Sequence, residues 1–239
     1  MKIAVISDIH GNLEALEACL KKIKELKADK LVCLGDFVDY CAQPNECIEL
    51  VLKHTDKIVL GNHDEAQFHY KLAEGFTENA RISSLYTRTI LDKKYVDIFK
   101  SLPYTLSEDN IFYVHASPYL PHVYSYILKH ETAAINFGYF EERICFAGHS
   151  HRPIIFEETE TLVNTVDIDI LEPSKRYIVN VGSVGQPRDG NPDASFGFFD
   201  TESNEYLNVR VPYDTEKSAE KIKNEGLPLF LAERILKGV

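Results

Sequence analysis

Short apolar runs alternate with longer amphipathic stretches along the first part of the chain. The runs lie at residues 2–6, 31–34 and 57–60. They are rich in leucine and β-branched residues, which is typical of strands buried on both faces of a sheet. Between them, apolar residues recur at helical spacing over 13–26 and again from Pro44 to Leu52. This βαβαβ order predicts a parallel sheet with right-handed crossovers.

The pattern changes beyond the third run. Residues 65–108 are mostly polar with helical spacing, and they predict a helical insertion at about 65–108 beside the active site. Further strands are predicted at 110–114, 143–147, 154–157, 176–181, 195–200 and 205–211, and closing helices at 215–224 and 228–237. The strands after residue 154 are separated by turn residues and favour a second, more antiparallel sheet. Since no linker or repeat interrupts the chain, we predict one domain over 1–239.

Residues of the types that bind metals follow five of these apolar runs. They are Asp8, His10, Asp36, Asn62, His63, Asp64, His115, His149 and His151. Taken singly, each has an ordinary alternative, because Asp and Asn are common in turns and a lone histidine is usually a surface or half-buried residue. Taken together they indicate a metal site, because adjacent parallel strands bring their carboxyl ends to one edge of the sheet.

The ligand types favour a particular kind of metal. Imidazoles, carboxylates and one amide, without a thiolate, suit divalent Mn, Fe, Ni, Co or Zn. The set is too large for one tetrahedral zinc ion, and it favours two ions about 3.5–4 Å apart that share a carboxylate, as in in-line displacement at phosphorus. A mononuclear zinc hydrolase of unrelated fold is the alternative, but it would leave several of these residues without a role.

The order of the motifs resembles that of the calcineurin-like metallophosphoesterase superfamily, in its small prokaryotic-type phosphodiesterase and phosphatase branch. The motifs are Asp-x-His, Gly-Asp-x-x-Asp, Gly-Asn-His-Asp, a lone histidine and Gly-His-Ser-His, and they extend from residue 8 to 151. The segment 180–188 also resembles a family segment. The resemblance implies an α/β fold, a two-sheet β-sandwich flanked by helices in four αββα layers, and the activity of a metal-dependent phosphoric ester hydrolase.

The resemblance also implies a role for each residue. One metal would be held by Asp8, His10 and His151, the other by Asn62, His115 and His149, with Asp36 bridging the two. His63 would face the scissile phosphate and be oriented by Asp64, while Asp39 would orient a ligand without touching the metal. The implied reaction is in-line attack of a metal-bridging hydroxide, with His63 protonating or stabilising the departing oxygen.

The substrate is less closely defined by the motifs. The family's protein phosphatases and symmetrical dinucleoside tetraphosphatases usually carry arginines at the positions of Tyr40 and Leu60. We therefore predict a small phosphodiester or nucleotide-like substrate, with a phosphomonoesterase, protein phosphatase or dinucleoside polyphosphate hydrolase as alternatives. Arg188, Gly182 and Ser183 are the predicted substrate-binding residues, with main-chain N–H groups of this turn cradling phosphate. The alternative is a plain surface turn.

Three tyrosines offer a possible wall for the substrate pocket. Tyr119, Tyr124 and Tyr126 lie close together in the chain and would suit stacking on a nucleobase. Aromatic residues at such spacing are more often part of a hydrophobic core.

Composition narrows the possible partners. Against 26 Lys and Arg there are 37 Asp and Glu, a net charge of −11, which argues against nucleic acid as a partner and so against a nuclease. A non-catalytic scaffold would have lost ligands, whereas all seven are present. Five scattered cysteines without a CxxC pair favour reduced thiols and a cytoplasmic location. The first apolar run reaches Asp8 too soon for a signal peptide, and no segment approaches membrane-spanning length. No oligomeric state is predicted.

Overall fold

Two β-sheets with helices on their outer faces make up the computed structural model, which describes residues 1–160 and 162–239. The strands are β1 (Lys2–Ile6), β2 (Lys30–Cys33), β3 (Thr105–Glu108), β4 (Ile111–Val114), β5 (Ile144–Ala147), β6 (Ile154–Glu158), β7 (Val163–Val166), β8 (Arg176–Asn180), β9 (Ala194–Asp200) and β10 (Glu205–Val211). The helices are α1 (Leu13–Glu25), α2 (Pro44–Leu52), α3 (Asn62–Glu65), α4 (Glu78–Ile90), α5 (Lys93–Ser101), α6 (His130–Phe137), α7 (Thr215–Asn224) and α8 (Leu229–Lys237). Short 3₁₀ helices occur at Tyr70–Gly75 and Pro121–Val123.

Both sheets mix parallel and antiparallel strands. The first has the order β10-β9-β1-β2, in which only β1 and β2 are parallel. The second has the order β3-β4-β5-β8-β6-β7, in which β4, β5 and β8 are parallel. The predicted α/β fold with two sheets is confirmed. The prediction that the later strands form a sheet of their own is wrong, because β9 pairs with β1 while β6, β7 and β8 extend the sheet of β4 and β5.

The pattern of β1 follows from its position between two layers. Ile3 and Val5 pack in the core between the two sheets, whereas Ala4 and Ile6 pack with Leu16 of α1 on the outer face. A strand covered on both faces needs a continuous apolar run, which is what the sequence contains. On the opposite side of the molecule, α6 covers the outer face of the second sheet.

A third group of helices lies beside the carboxyl edge of the first sheet. Apolar residues of α4, α7 and α8 form a separate buried cluster that includes Ala80, Ile222 and Leu231. Tyr40, which follows β2, belongs to the same cluster. The cluster therefore ties the end of the chain to a loop that also carries candidate ligands.

Two segments differ from the sequence prediction. The expected strand at 57–60 is a single parallel bridge between Cys33 and Ile58. The N–H of Val59 bonds Cys33 O at 3.0 Å, but the next N–H on that side, that of Gly61, lies 3.4 Å from Asp64 Oδ2 instead of bonding β2. The predicted insertion at 65–108 is helical only as far as α5, and it ends in β3, which pairs with β4.

Among the described residues no helix has the length and apolar character needed to cross a membrane. The cytoplasmic location stays a prediction.

Candidate metal centre

The loops that follow four strands converge at one edge of the sandwich. Asp8 and Asp36 follow β1 and β2 of the first sheet, while His115 and His149 follow β4 and β5 of the second. The sequence argument placed these residues along neighbouring strands of one sheet. The structure brings them together from two sheets instead, so the site lies where the two carboxyl edges meet.

The buried ligand atoms form three overlapping groups, of which His10–Asp36–His63 shares a member with each of the other two. The other two, the two ligand groups, are Asp8–His10–His151 and Asp36–His115–His149, and within each group the ligand atoms lie within 4.8 Å of one another. Asp36 Oδ2 lies 3.7 Å from His10 Nε2 and 3.3 Å from His115 Nε2, so this oxygen is situated between the two groups. The side-chain oxygen of Asn62 lies 3.1 Å from His115 Nε2 and so adjoins the second group.

Three of the imidazoles are oriented by main-chain carbonyl groups. The pairs are His10 Nδ1 with Val38 O (2.8 Å), His115 Nδ1 with Leu34 O (2.8 Å) and His151 Nδ1 with Gln186 O (2.6 Å). A ring that donates from Nδ1 keeps a lone pair on Nε2, which is how metal-binding histidines are usually held. His10 Nε2 and His151 Nε2 are only 3.2 Å apart, and two lone pairs at that distance repel unless a cation lies between them.

The carboxylates of Asp8 and Asp36 are also each held by one hydrogen bond, with the second oxygen left for a cation. Asp8 Oδ2 accepts the main-chain N–H of His149 at 2.9 Å, and Asp36 Oδ1 accepts that of His63 at 2.8 Å. The other oxygen of each carboxylate is buried and accepts no hydrogen bond from the described residues. A buried charged oxygen without a donor is costly unless a cation neutralises it, so these residues fit a metal ion.

The protonation states are also suited to metal binding. Burial holds the pKa of His10 and His151 well below the usual value and lowers that of His149 to about 3, so these rings stay neutral. Burial also disfavours the charged form of His115, but the nearby carboxylate of Asp36 outweighs it and raises the pKa of His115 to about 9. Only the neutral ring binds a metal, so an ion must displace this proton.

The loops themselves have uncommon backbone conformations. Five candidate ligands have φ between 52° and 65°, namely Asp8, His10, Asp36, His149 and His151. Side chains other than glycine rarely adopt this left-handed region, and such conformations persist at functional sites where the surroundings fix them. Gly61 allows α3 to approach this centre closely, since a Cβ atom at this position would collide with the carboxylate and main-chain nitrogen of Asp36.

His63 lies at the edge of the centre. Its ring is 5.0 Å from that of His10, and its ligand atom lies within 4.8 Å of those of His10 and Asp36. Its Nδ1 donates to Asp39 Oδ2 at 2.7 Å, and Gln67 Nε2 donates to Asp39 Oδ1 at 3.1 Å. Asp39 therefore fixes the orientation of His63 and is itself fixed by Gln67.

Two predicted roles change as a result. Asp64 does not orient His63, because its carboxylate accepts the main-chain N–H groups of Asp36 at 2.7 Å and Phe37 at 2.8 Å. Burial and the charge of Asp36 raise the pKa of Asp64. Asp64 thus fixes the loop that carries Asp36. Asp39, which was expected to orient a metal ligand, holds His63 instead.

The Gly182 and Ser183 groups that were predicted to cradle phosphate are bonded within the protein. The Ser183 hydroxyl donates to the main-chain oxygen of Asp8 at 2.8 Å and is fully buried. The main-chain N–H of Gly182 donates to Asn180 Oδ1 at 3.0 Å, and that of Gly185 donates to Asp8 O at 2.9 Å. Ser183 and Gly185 thus support the Asp8 loop, and the N–H of Gly182 is bonded to Asn180 and not left for a phosphate.

A pocket of about 520 Å³ opens over the two ligand groups. Arg188 lines it, as the sequence suggested, together with the aromatic side chains of Tyr40, Phe76, Tyr124 and Tyr126. Tyr126 stacks on the imidazole of His149 with ring centres 4.1 Å apart. The pocket thus combines a polar floor with aromatic walls.

The three tyrosines named in the sequence analysis differ in their positions relative to the pocket. Tyr124 and Tyr126 line the pocket, although the core interpretation was favoured for all three. Tyr119 packs on Tyr139, with ring centres 4.6 Å apart, and does not line the pocket.

Several pocket residues had no assigned role in the sequence analysis. The Tyr124 hydroxyl donates to Glu65 Oε2 at 2.6 Å, and Glu65 directly follows Gly-Asn-His-Asp, so its position in the motif was an available signal. Phe76 packs on His63 with ring centres 4.5 Å apart. Arg234 reaches the pocket from α8. Nothing local marks Arg234, because an amphipathic helix with charged residues is typical of any surface helix.

Comparisons with known proteins define the class of protein that this fold and site represent. The sequence model of the family described as Calcineurin-like phosphoesterase matches residues 1–153. The uncharacterized protein MJ0912 of Methanocaldococcus jannaschii is 38% identical over 241 residues, which cover 99% of this chain and 98% of that protein. Metal-dependent hydrolysis of phosphoric esters is therefore the chemistry of this class.

Solved structures agree with that classification. A metallophosphoesterase from Sphaerobacter thermophilus is 36% identical, superposes with a TM-score of 0.87, and is covered completely, as is this chain. The hypothetical protein PH1004 from Pyrococcus horikoshii OT3 shares the fold, with 22% identity, a TM-score of 0.81, and coverage of 100% of this chain and 98% of that one. The chain belongs to the calcineurin-like phosphoesterase family, and the predicted resemblance and enzyme class are confirmed.

Metal binding is expected to stabilise the fold, because an ion would give the unpartnered oxygens of Asp8 and Asp36 a counter-charge. A free-ion concentration 1,000-fold above Kd corresponds to about 4 kcal/mol, which for a chain of this size raises Tm by about 8–16 °C. The measurement is thermal unfolding with Mn²⁺, Ni²⁺ or Zn²⁺ and after chelation.

Two variants control this measurement. The His151→Ala variant removes a candidate ligand and should show a smaller rise in Tm. The His54→Gln variant changes an exposed histidine on the protein surface and should keep the full rise. Equal rises in the Tm of both variants would show that the ion binds at another site than the one that contains His151.

Proposed function

We propose that this protein hydrolyses a small phosphate ester in the 520 Å³ pocket, using two divalent transition-metal ions drawn from Mn, Fe, Ni, Co and Zn. The observation that carries the proposal is the position of Asp36, whose unpartnered oxygen lies between two groups of buried ligands. One carboxylate shared between two adjacent ligand sets is the arrangement that a pair of ions requires.

Each ion would have its own ligands. Asp8, His10 and His151 would hold one ion, and Asn62, His115 and His149 the other, with Asp36 common to both. When bound, such ions supply an activated water and withdraw charge from the phosphoryl oxygens. The protein's own contribution is to hold the ligand atoms in fixed positions before any ion or substrate arrives.

His63 would be the proton donor to the departing oxygen. In the imidazolium form, Nδ1–H would donate to Asp39 Oδ2 at 2.7 Å, and Nε2–H would be the donor left for the departing oxygen. Gln67 bonds the second oxygen of Asp39 and also the main-chain oxygen of His63 at 3.1 Å, which restrains both partners. These contacts hold His63 in one orientation beside the ligand groups.

The aromatic walls favour an ester with a flat leaving group or nucleoside. Phe76 packs on His63, and Tyr126 covers His149, so a ring bound in the pocket would contact apolar surface next to the reacting phosphate. Tyr124 is held in place by Glu65 and adds to this wall. A nucleotide-like substrate therefore fits both the polar floor and the aromatic lining.

Hydrolysis assays on Mn- and Ni-loaded protein test the proposal. The panel spans aryl phosphate monoesters and diesters, cyclic nucleotides, dinucleoside polyphosphates and a phosphopeptide. We expect turnover of small aryl or nucleotide esters that stops on chelation and returns when metal is added back. Folded, metal-loaded protein that cleaves none of these esters would contradict the proposal.

A further inference from the structure

Two guanidinium groups line the pocket without an Asp or Glu partner among the described residues. Arg188 and Arg234 both reach the pocket, and in residues 1–160 and 162–239 no Asp or Glu side-chain oxygen lies within 4.0 Å of the charged nitrogens of either. Elsewhere in the protein, Arg176 pairs with Glu158 at 2.7 Å. In a chain with a net charge of −11, two arginines in one pocket without an Asp or Glu partner among the described residues indicate a local site for an anion.

Neither arginine donates to an Asp or Glu side chain of the described residues. Arg188 donates from Nε and Nη2 to the side-chain oxygen of Gln186, at 3.2 and 2.8 Å, and Gln186 is completely buried. Arg234 donates from Nε to the main-chain oxygen of Val239. These contacts fix the direction of each side chain. The amide of Gln186 leaves the charge of Arg188 unneutralised, and the Nη groups of Arg234 donate to no partner among the described residues.

The pair lies beside the candidate metal centre and not within it. The guanidinium carbon of Arg188 lies 5.6 Å from the ring centre of Tyr40, and the ring of Tyr40 lies 4.5 Å from that of His10 and 4.8 Å from that of His63. The aromatic ring of Tyr40 thus adjoins both the arginine and the residues that would act on the scissile phosphate. The arginines therefore reach a neighbouring part of the substrate.

The two charges also act on each other. Burial, together with the charge of Arg188, lowers the pKa of Arg234 to about 10. Two like charges that line one pocket repel each other, and an anion bound by both would offset that repulsion. Guanidinium groups suit phosphate in particular, because their N–H groups match its oxygens two at a time.

We propose that Arg188 and Arg234 form a second anion subsite, which binds a phosphate group of the substrate other than the one that is cleaved. The inference rests on the proposed hydrolysis, and it narrows the substrate to phosphate esters that carry an additional phosphate, such as nucleoside bisphosphates and their esters. The aromatic walls would contact the nucleoside, and the arginine pair would bind its second phosphate.

The test compares two substrates that share a leaving group. The first is thymidine 5′-(p-nitrophenyl phosphate), and the second is the same ester with a 3′-phosphate. Charged hydrogen bonds to the extra phosphate should raise kcat/KM by about 10- to 100-fold for the second substrate in wild-type, Mn-loaded protein. The Arg234→Gln variant should reduce this preference to nearly 1, and Arg234→Lys should retain part of it.

A control variant lies on the same helix. Lys237 is exposed and pairs with Glu233 at 3.6 Å, outside the pocket. Lys237→Gln removes one positive charge from α8, as Arg234→Gln does, and should keep the full preference. Equal loss of the preference in both variants would indicate a general charge effect and would overturn the proposal. An equal fall for both substrates in Arg234→Gln would place Arg234 on the cleaved phosphate and would also overturn it.

Binding measurements separate this proposal from the proposed hydrolysis. Calorimetry on metal-loaded protein compares the affinities for thymidine 5′-monophosphate and thymidine 3′,5′-bisphosphate. Tighter binding of the bisphosphate that is lost in Arg234→Gln supports the subsite even if neither ester is cleaved, in which case only the hydrolysis is contradicted. Equal affinity for both ligands in the wild-type protein would exclude the subsite, whether or not hydrolysis occurs.

Discussion

Replacement of Asp36 by Asn is expected to lower kcat by about 10³-fold or more and to reduce the bound metal from two ions per chain to one or none. Asp36 Oδ2 is buried, accepts no hydrogen bond from the described residues, and lies 3.7 and 3.3 Å from imidazole nitrogens of the two ligand groups. Only a charged carboxylate can bridge two cations at this point. The assays are metal analysis of purified protein and hydrolysis of an aryl phosphate ester.

The Asn side chain is a suitable replacement because it keeps one structural contact. Asp36 Oδ1 accepts the main-chain N–H of His63, and the amide oxygen of Asn can accept the same bond. Far-ultraviolet circular dichroism should therefore match that of the wild-type protein without metal. If the variant retained two ions and normal turnover, Asp36 would not be the bridging residue.

The His63→Asn variant is expected to lose about 10²- to 10⁴-fold in kcat while its metal content stays close to that of the wild-type protein. His63 bonds Asp39 through Nδ1, so its remaining nitrogen is the one that would protonate the leaving oxygen. The loss should be smaller for esters with a good leaving group, because such an oxygen departs without a proton. Paired assays on p-nitrophenyl and alkyl esters measure this difference.

The metal contents of the Asp36→Asn and His63→Asn variants show whether His63 is a metal ligand or a proton donor. Equal loss of metal in the Asp36→Asn and His63→Asn variants would make His63 a ligand and contradict the assignment. The Asp39→Asn variant should resemble His63→Asn in a milder form, because it weakens the contact that fixes the imidazole. The Asp64→Asn variant should instead disturb the loop that carries Asp36, since its carboxylate accepts two main-chain N–H groups there.

The sequence predicted best those features that depend on neighbouring residues in the chain. The run at 2–6 is apolar because both faces of β1 are covered, and Asp8 and His10 directly follow it. A pattern of this kind reports the strand, its end and the residue type found there. The candidate ligands could therefore be named without a structure, although their convergence from two sheets could not.

Contacts between distant segments were beyond a pattern analysis. The sequence argument assigned the orientation of His63 to its neighbour Asp64, yet the carboxylate that bonds the imidazole is that of Asp39, 24 residues away. The N–H of Leu60 bonds the carbonyl of Pro103, which lies far along the chain. Arg234 reaches the pocket only because α8 packs with α4 and α7. Each of these outcomes depends on tertiary packing, which no local signal encodes.

The most direct test of the central claim is anomalous diffraction from crystals grown with Mn²⁺, with data collected on both sides of the manganese edge. We predict two peaks about 3.5–4 Å apart, one on each side of Asp36, with Asp8, His10 and His151 around the first and Asn62, His115 and His149 around the second. A single peak, or two peaks that do not share Asp36, would contradict the account.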